Sequence, residues 1–379
     1  MLCLNTAMRW EGHLKKANIL QAANPYIFKI KPYVPGKPID EFRREMGLKS
    51  VIKLASNENP YPPSPKVLAA MARAARDVNR YPDGGCFLLR RALARKLAID
   101  DDQLIFGNGS DEIIVLAVKA FAAKGDDVII AKPSFLIYEI ASTLSGARVH
   151  QVPLKEFHYD LEAMKAKVNA RTKIIFIGNP DNPAGTYITH AQAEDFLTAV
   201  PKSTLVFFDE AYFEYVRAKD YPNTLALMKK YPQVMITRTF SKMYGLAGLR
   251  IGYGIASREV IGILDRLREP FNVNSMAQAA ALAVLGDEPY YRNIAKEVEE
   301  QRQYLYRSLE SLSVAYEVSF TNFILVHVGE DSTQVAGSLL KKGVIVRDMA
   351  VWGLKGYIRV SIGSAPENKR FIKTLGEIL

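Results

Sequence analysis

Gln233-Val-Met-Ile-Thr-Arg-Thr239-Phe-Ser-Lys242-Met-Tyr-Gly245-Leu-Ala-Gly248-Leu-Arg250-Ile-Gly-Tyr-Gly-Ile255 is two β-rich runs joined by a polar, glycine-rich turn. The runs Gln233–Arg238 and Ile251–Ile255 read as strands. Between them Lys242 has the hydroxyls of Thr239 and Ser241 on one side and a turn ending in Arg250 on the other. A lone Lys after a strand is ordinarily a solvated surface residue. Here hydroxyls, backbone N–H groups and an Arg make a cradle for a phosphate. A Lys beside such a cradle has the chemistry to form a Schiff base with a phosphorylated aldehyde.

Outward from that stretch, short apolar runs alternate with helical patterns. Strands are expected at Gln103–Gly107, Val128–Ala131, Arg148–Val152, Lys173–Gly178 and Thr204–Asp209, with helices such as Asp111–Ala123 and His190–Ala199 between them. This alternation predicts an α/β fold, a mostly parallel central sheet flanked by helices. The texture changes near Glu269–Ser275, where a long charged helical region runs to about Ser311. Three further strands, Phe323–Val328, Val344–Arg347 and Tyr357–Ile362, predict a smaller α+β domain. Pro60, Pro62, Pro63 and Pro65 break the chain before the next helix. The expected division is an N-terminal arm with part of the small domain at 1–60, a large domain at 61–274 and a small C-terminal domain at 275–379.

In open α/β sheets ligands bind at the carboxyl ends of strands, so chemistry is sought there. Asp209 ends an apolar strand in Phe207-Phe-Asp209-Glu-Ala-Tyr212. Alone it reads as a helix cap or a metal ligand. Under a pyridine ring it would stabilise a protonated ring nitrogen, with Tyr212 able to reach the ring's phenolic oxygen. Gly178-Asn-Pro-Asp-Asn182-Pro-Ala-Gly185 is a turn, and Asn182 is its candidate donor. Gly107-Asn-Gly109-Ser110-Asp111-Glu112 lacks the third glycine of a dinucleotide fingerprint. It remains a helix start suited to a phosphate. Phe135 follows another strand end and can stack on a flat ring or pack in the core.

Composition is that of an ordinary globular chain: 379 residues, 49% hydrophobic and 24% charged. No run approaches the ~18 apolar residues of a membrane-spanning helix. Met1–Asn24 lacks the apolar core and cleavage site of a secretory signal, and Glu11 with few Ser argues against a mitochondrial address. Cys3 and Cys86 make neither a disulfide framework nor a Cys-x-x-Cys pair, which suits a reducing cytoplasm. The net charge of +10 is dispersed among carboxylates. It favours small anionic substrates over nucleic acid. No metal and no membrane partner are expected.

These segments resemble fold-type I pyridoxal-phosphate (PLP) aminotransferases, the aspartate aminotransferase superfamily. The likeness runs from about Pro32 to the C-terminus. It adds Tyr33-Val-Pro-Gly-Lys37, Leu54-Ala-Ser-Asn-Glu-Asn-Pro-Tyr61, Arg80-Tyr-Pro-Asp83, Arg347-Asp348 and Tyr357-Ile-Arg359-Val-Ser-Ile-Gly363 to the stretches above. Met1–Asn24 has no counterpart in it. By position, the resemblance implies that Lys242 bonds the cofactor aldehyde and shuttles the proton, with Asp209 and Tyr212 as its catalytic companions. It implies that Asn182 and Tyr212 hold the ring oxygen, that Phe135 stacks on the ring, and that Ser110, Asp111, Thr239, Ser241 and Arg250 surround the phosphate. Tyr61 would reach the phosphate of a neighbouring subunit, implying a homodimer. Arg359 would hold the substrate carboxylate, Arg347 with Tyr33 would help hold a substrate phosphate, and Asn59 is a further substrate-binding candidate. The implied substrates are a phosphorylated amine and a 2-oxo acid such as 2-oxoglutarate, in ping-pong order. Two departures are visible: Pro180-Asp-Asn182-Pro-Ala-Gly where Pro-Asn-Asn-Pro-Thr-Gly is more usual, and Phe135 where Tyr is commoner. An aromatic amino-acid aminotransferase and a decarboxylase of a phosphorylated amino acid such as threonine phosphate fit the same residues. A non-catalytic regulator does not, because Lys242 and Asp209 are both present and the N-terminus is too short for a helix-turn-helix.

Overall fold

The computed structural model describes residues 18–31, 44, 47 and 50–379. Among these, the strands are β1 (Ile52–Lys53), β2 (Leu104–Gly107), β3 (Asp127–Lys132), β4 (Arg148–Pro153), β5 (Thr172–Gly178), β6 (Leu205–Asp209), β7 (Val234–Thr239), β8 (Gly252–Ile255), β9 (Phe323–His327), β10 (Val344–Ile345), β11 (Arg347–Asp348) and β12 (Tyr357–Ser361).

A seven-stranded sheet runs β2-β8-β7-β6-β5-β3-β4. β8 is antiparallel to both its neighbours, and the other pairs are parallel. The strands are apolar on both faces because helices cover both. On β5, Ile175 and Ile177 face one core while Ile174 and Phe176 face the other. The second core is closed by the helices Ser110–Phe121, Leu136–Leu144 and Arg258–Leu264. Helix starts follow local chemistry. His190–Ala199 opens with a capping box of Thr189 and Gln192, and Pro65–Ala74 opens with Ser64 capping Val67 N–H.

A three-stranded antiparallel sheet, β11-β12-β9, stands apart from the large one. The single strand expected at Val344–Arg347 is two. β10 pairs in parallel with β1, whereas β11 pairs antiparallel with β12. The chain changes partner at Val346, so one apolar run serves two ladders. β1 was not expected; two residues give too little pattern to read. No helix of the described residues is long and apolar enough to cross a membrane.

Behind the carboxyl ends of β6 and β7 lies a buried ion pair. Arg238 Nε is 2.8 Å from Glu210 Oε2, with side chains 6% and 0% exposed. Thr224 donates to the other Glu210 oxygen at 2.8 Å, and the guanidinium lies 3.6 Å over the Phe213 ring. Arg238→Met leaves a buried carboxylate without its cation. It is expected to cost about 3–5 kcal/mol in urea unfolding, and adding Glu210→Leu to recover most of that loss. Equal losses in the single and double variants would show that the stranded carboxylate is not the source of the loss and that the pair itself stabilises the fold.

Candidate active site

The register aligns Gly178 with Asp209 and Asp209 with Thr237, so β5, β6 and β7 end side by side. A cavity of about 530 Å³ opens above them. Twelve of the residues singled out in the sequence line it: Ser110, Asp111, Phe135, Asn182, Asp209, Tyr212, Thr239, Ser241, Lys242, Arg250, Arg347 and Arg359.

One end of the cavity suits a phosphate. The helix Ser110–Phe121 begins there, and its N-cap residue, Gly109, supplies no side-chain cap, so the first N–H groups are left for a ligand. Arg250 stands beside them, 3.3 Å from Asp111. Glycine keeps the space open. A Cβ on Gly109 would lie 2.4 Å from Arg250 Nη2, and one on Gly252 would lie 2.7 Å from Ser110 N. Gly109 also has φ +83°, a conformation strained for any side chain. The arrangement fits the phosphorylated pyridine aldehyde that the resemblance implies. Gly109→Ala is expected to displace Arg250 and weaken that cofactor's binding about 10-fold or more, one charge-assisted bond being worth about 1.5–3 kcal/mol. Fluorescence titration with pyridoxal phosphate checks it; unchanged affinity would remove the phosphate from this end.

At the other end Asp209 lies on the floor, 6% exposed. It accepts from Tyr138 Oη at 2.7 Å, Ala211 N at 3.2 Å and Thr237 Oγ1 at 3.4 Å. Burial pushes its carboxyl up to about 6, opposed by the Tyr138 bond and reinforced by the charge of Asp111. A cation above it would repay that burial. Phe135 lines the wall, edge-on to Tyr138 at 5.7 Å, and Tyr138 in turn stacks on Phe176 at 4.6 Å. Lys242 Nζ is 5.6 Å from the Tyr212 ring centroid.

The small sheet supplies the remaining wall. β11 and β12 place Arg347 directly opposite Arg359. Like charges facing each other across a ladder destabilise it; an anion between them reverses the sign. Arg359 donates to Asn182 Oδ1 and, at 3.4 Å, to the Ala55 carbonyl. The Arg347 side chain makes no hydrogen bond or ion pair among the described residues. Its strand is braced instead by Asp348, which accepts from Ser332, Thr333 and Ala350 N.

Three sequence candidates are not in this wall. Asn59 donates to the Met243 carbonyl at 2.7 Å and accepts from Tyr61 N at 3.0 Å, so it braces the segment after Lys242. Tyr61 does not line the cavity of its own chain. Burial, with the charges of Glu297 and Glu367, pushes its hydroxyl up to about 12. Tyr33 lies outside the described residues.

The cavity also holds residues to which sequence reading gave no role. Tyr138 comes three residues after Phe135, a spacing that returns it to the same helix face. Asn57 lies inside the Leu54–Tyr61 motif, but its partner Tyr212 is 155 residues away. Asp181, pushed up to about 7 by burial, and Trp352 carried no local signal.

The family described as Aminotransferase class I and II matches residues 49–375. A histidinol-phosphate aminotransferase of Moorella thermoacetica is 48% identical over 354 residues, covering 93% of this chain and 92% of that protein. One from an Anaeromyxobacter species is 45% identical, covering 94% and 98%. Among solved structures, the histidinol-phosphate aminotransferase of Sinorhizobium meliloti, in complex with pyridoxal-5'-phosphate, superposes with a TM-score of 0.86 at 29% identity, covering 94% of this chain and 97% of that one.

Proposed function

The chain belongs to the class I and II aminotransferases, and on that premise we propose that it transfers the amino group of histidinol phosphate to 2-oxoglutarate, giving imidazole-acetol phosphate and glutamate. The observation that carries this reading is the pair of opposed arginines, Arg347 and Arg359, on the wall of the cavity that contains Lys242. One pair must accept a phosphate ester in one half-reaction and a dicarboxylate in the other. Guanidinium forks suit both anions.

Pyridoxal phosphate, when bound, supplies an electron-poor ring that stabilises negative charge on the neighbouring carbon. Its phosphate would be held by Ser110, Asp111 through its backbone, Thr239, Ser241 and Arg250, and its ring by Phe135, Asn182, Tyr212 and Asp209. Lys242 Nζ carries the proton released from the substrate carbon that bears the amine. Arg347 and Arg359 orient the substrate through its anionic groups; Tyr33 is assigned to the same anion by its position in the motif alone. We read the protein as a cytoplasmic homodimer in which Tyr61 reaches the partner's phosphate site. We read its division as 1–60, 61–274 and 275–379, supported by the strands of the seven-stranded sheet lying within 104–255 and those of the three-stranded sheet within 323–361.

Absorbance tests the reading. A band near ~420 nm that moves to ~330 nm on adding histidinol phosphate, and returns with 2-oxoglutarate, is expected of PLP transamination. Parallel double-reciprocal lines should accompany it. A band that answers only to an aromatic amino acid moves the substrate, and carbon dioxide released without an acceptor makes the enzyme a decarboxylase. No band after adding pyridoxal phosphate overturns the assignment.

A further inference from the structure

The geometry points to Asn57 as the residue that aims the hydroxyl proton of Tyr212 into the cavity, a positioning role that rests on the reading of the site given above. Asn57 Nδ2 lies 3.0 Å from Tyr212 Oη, and both side chains are buried. An amide nitrogen is a donor only, so the tyrosine oxygen must accept. Tyr212 has one O–H, and its proton is left to point elsewhere. The ring makes a T-shaped contact with Phe323 at 5.3 Å, and Tyr212 lines the cavity.

The direction of the amide is itself fixed. Ser361 Oγ accepts from the Asn57 backbone N–H at 2.8 Å, and its own hydroxyl donates to Asn57 Oδ1 at 3.3 Å. That turns Oδ1 toward Ser361 and Nδ2 toward Tyr212. Asn322 Nδ2 bonds the Asn57 carbonyl at 3.0 Å. The backbone at Asn57 has φ +53°, left-handed, which Asn tolerates better than most residues. A strained, buried polar residue held from three sides is the kind of position that functional sites retain. Three distant segments, after β1, at the end of β12 and after β6, therefore meet to set one proton.

A donor held at that place stabilises a negatively charged ring oxygen and lowers the pH at which the bound cofactor's absorbance changes. The test uses the native protein loaded with pyridoxal phosphate, its ~420 nm band followed against pH. Asn57→Asp keeps the shape and tolerates the left-handed backbone, but it accepts where Asn donates, so the Tyr212 proton turns away from the cavity. The midpoint should rise by about one pH unit, as in Tyr212→Phe. The charged groups around Tyr212 (Lys242, Asp181, Asp209 and Arg359) are kept in every variant.

The carboxylate that Asn57→Asp introduces can raise the midpoint by its charge alone, and the double variant separates the two causes. Added to Tyr212→Phe, Asn57→Asp should move the midpoint little. An equal shift with and without the Tyr212 hydroxyl overturns the inference, as does no shift in a folded Asn57→Asp protein. Ser361→Ala, which adds no charge, should give a smaller rise that also vanishes in the Tyr212→Phe background. It carries the test if Asn57→Asp does not fold. If the native protein forms no band, the reading of the site fails and the inference falls with it. A band that forms but ignores both variants sinks the inference alone.

Discussion

Lys242→Ala is expected to lower turnover of histidinol phosphate by about 10²–10⁴-fold, the range for removing a positioned proton carrier. The variant should also lose the ~420 nm band, because the amine proposed to join the cofactor aldehyde is gone. The reasoning begins with the chain. β7 ends at Thr239, and the turn to Arg250 carries Lys242 to the cavity wall. Its Nζ makes no hydrogen bond or ion pair among the described residues, so the fold gives up little when it is removed. Thermal unfolding should therefore move by no more than about 0.5 kcal/mol, as for an ordinary surface substitution. Activity within tenfold of the native protein, in a folded variant, would show that another group moves the proton.

Asp209→Asn should cut kcat/KM by about 10²–10⁴-fold. Removing one partner of a buried charge pair costs about 3–5 kcal/mol, and each ~1.36 kcal/mol is tenfold in rate. The shape and the contacts from Tyr138 and Thr237 are retained, but the negative charge proposed to face the ring nitrogen is gone. Without cofactor the same carboxyl works against the fold. Burial raises it from 3.8 to about 6, so the folded state holds its proton more tightly than the unfolded state does. The stability it contributes is full below 3.8 and is lost as pH rises through about 6. A shift of about two pH units is worth about 3 kcal/mol. Urea unfolding of the cofactor-free native protein should therefore weaken by about that amount, relative to Asp209→Asn, between low pH and neutrality. Curves that stay parallel across that window would show that Asp209 is not the group held protonated by burial.

Much of this site was legible because its signals are local. Strand candidates came from short apolar runs ended by polar turns, and the central sheet is built from them. Residues at strand ends are therefore legible as candidates: Lys242 and Arg250 after β7, Asp209 ending β6, Asn182 after β5, and Ser110 after β2. Glycine at 109 is required by a neighbouring guanidinium and by φ, yet it stood in the sequence as part of a readable helix start. Asn59 and Tyr61 stand in a motif as readable as these, yet neither lines the cavity of this chain.

The sequence by itself determined which elements form and which polar residues stand at their ends, because side-chain period, caps and turn chemistry act over a few residues. The tertiary structure decided who meets whom. Tyr138 bonds Asp209 across 71 residues, and Asn57 bonds Tyr212 across 155. Arg347 faces Arg359 only because β11 takes β12 as its partner in this register. A slip of one residue would turn every side chain of the strand to the other face. Register and partner are fixed by burying the apolar faces of the whole sheet, a condition no short stretch of sequence contains.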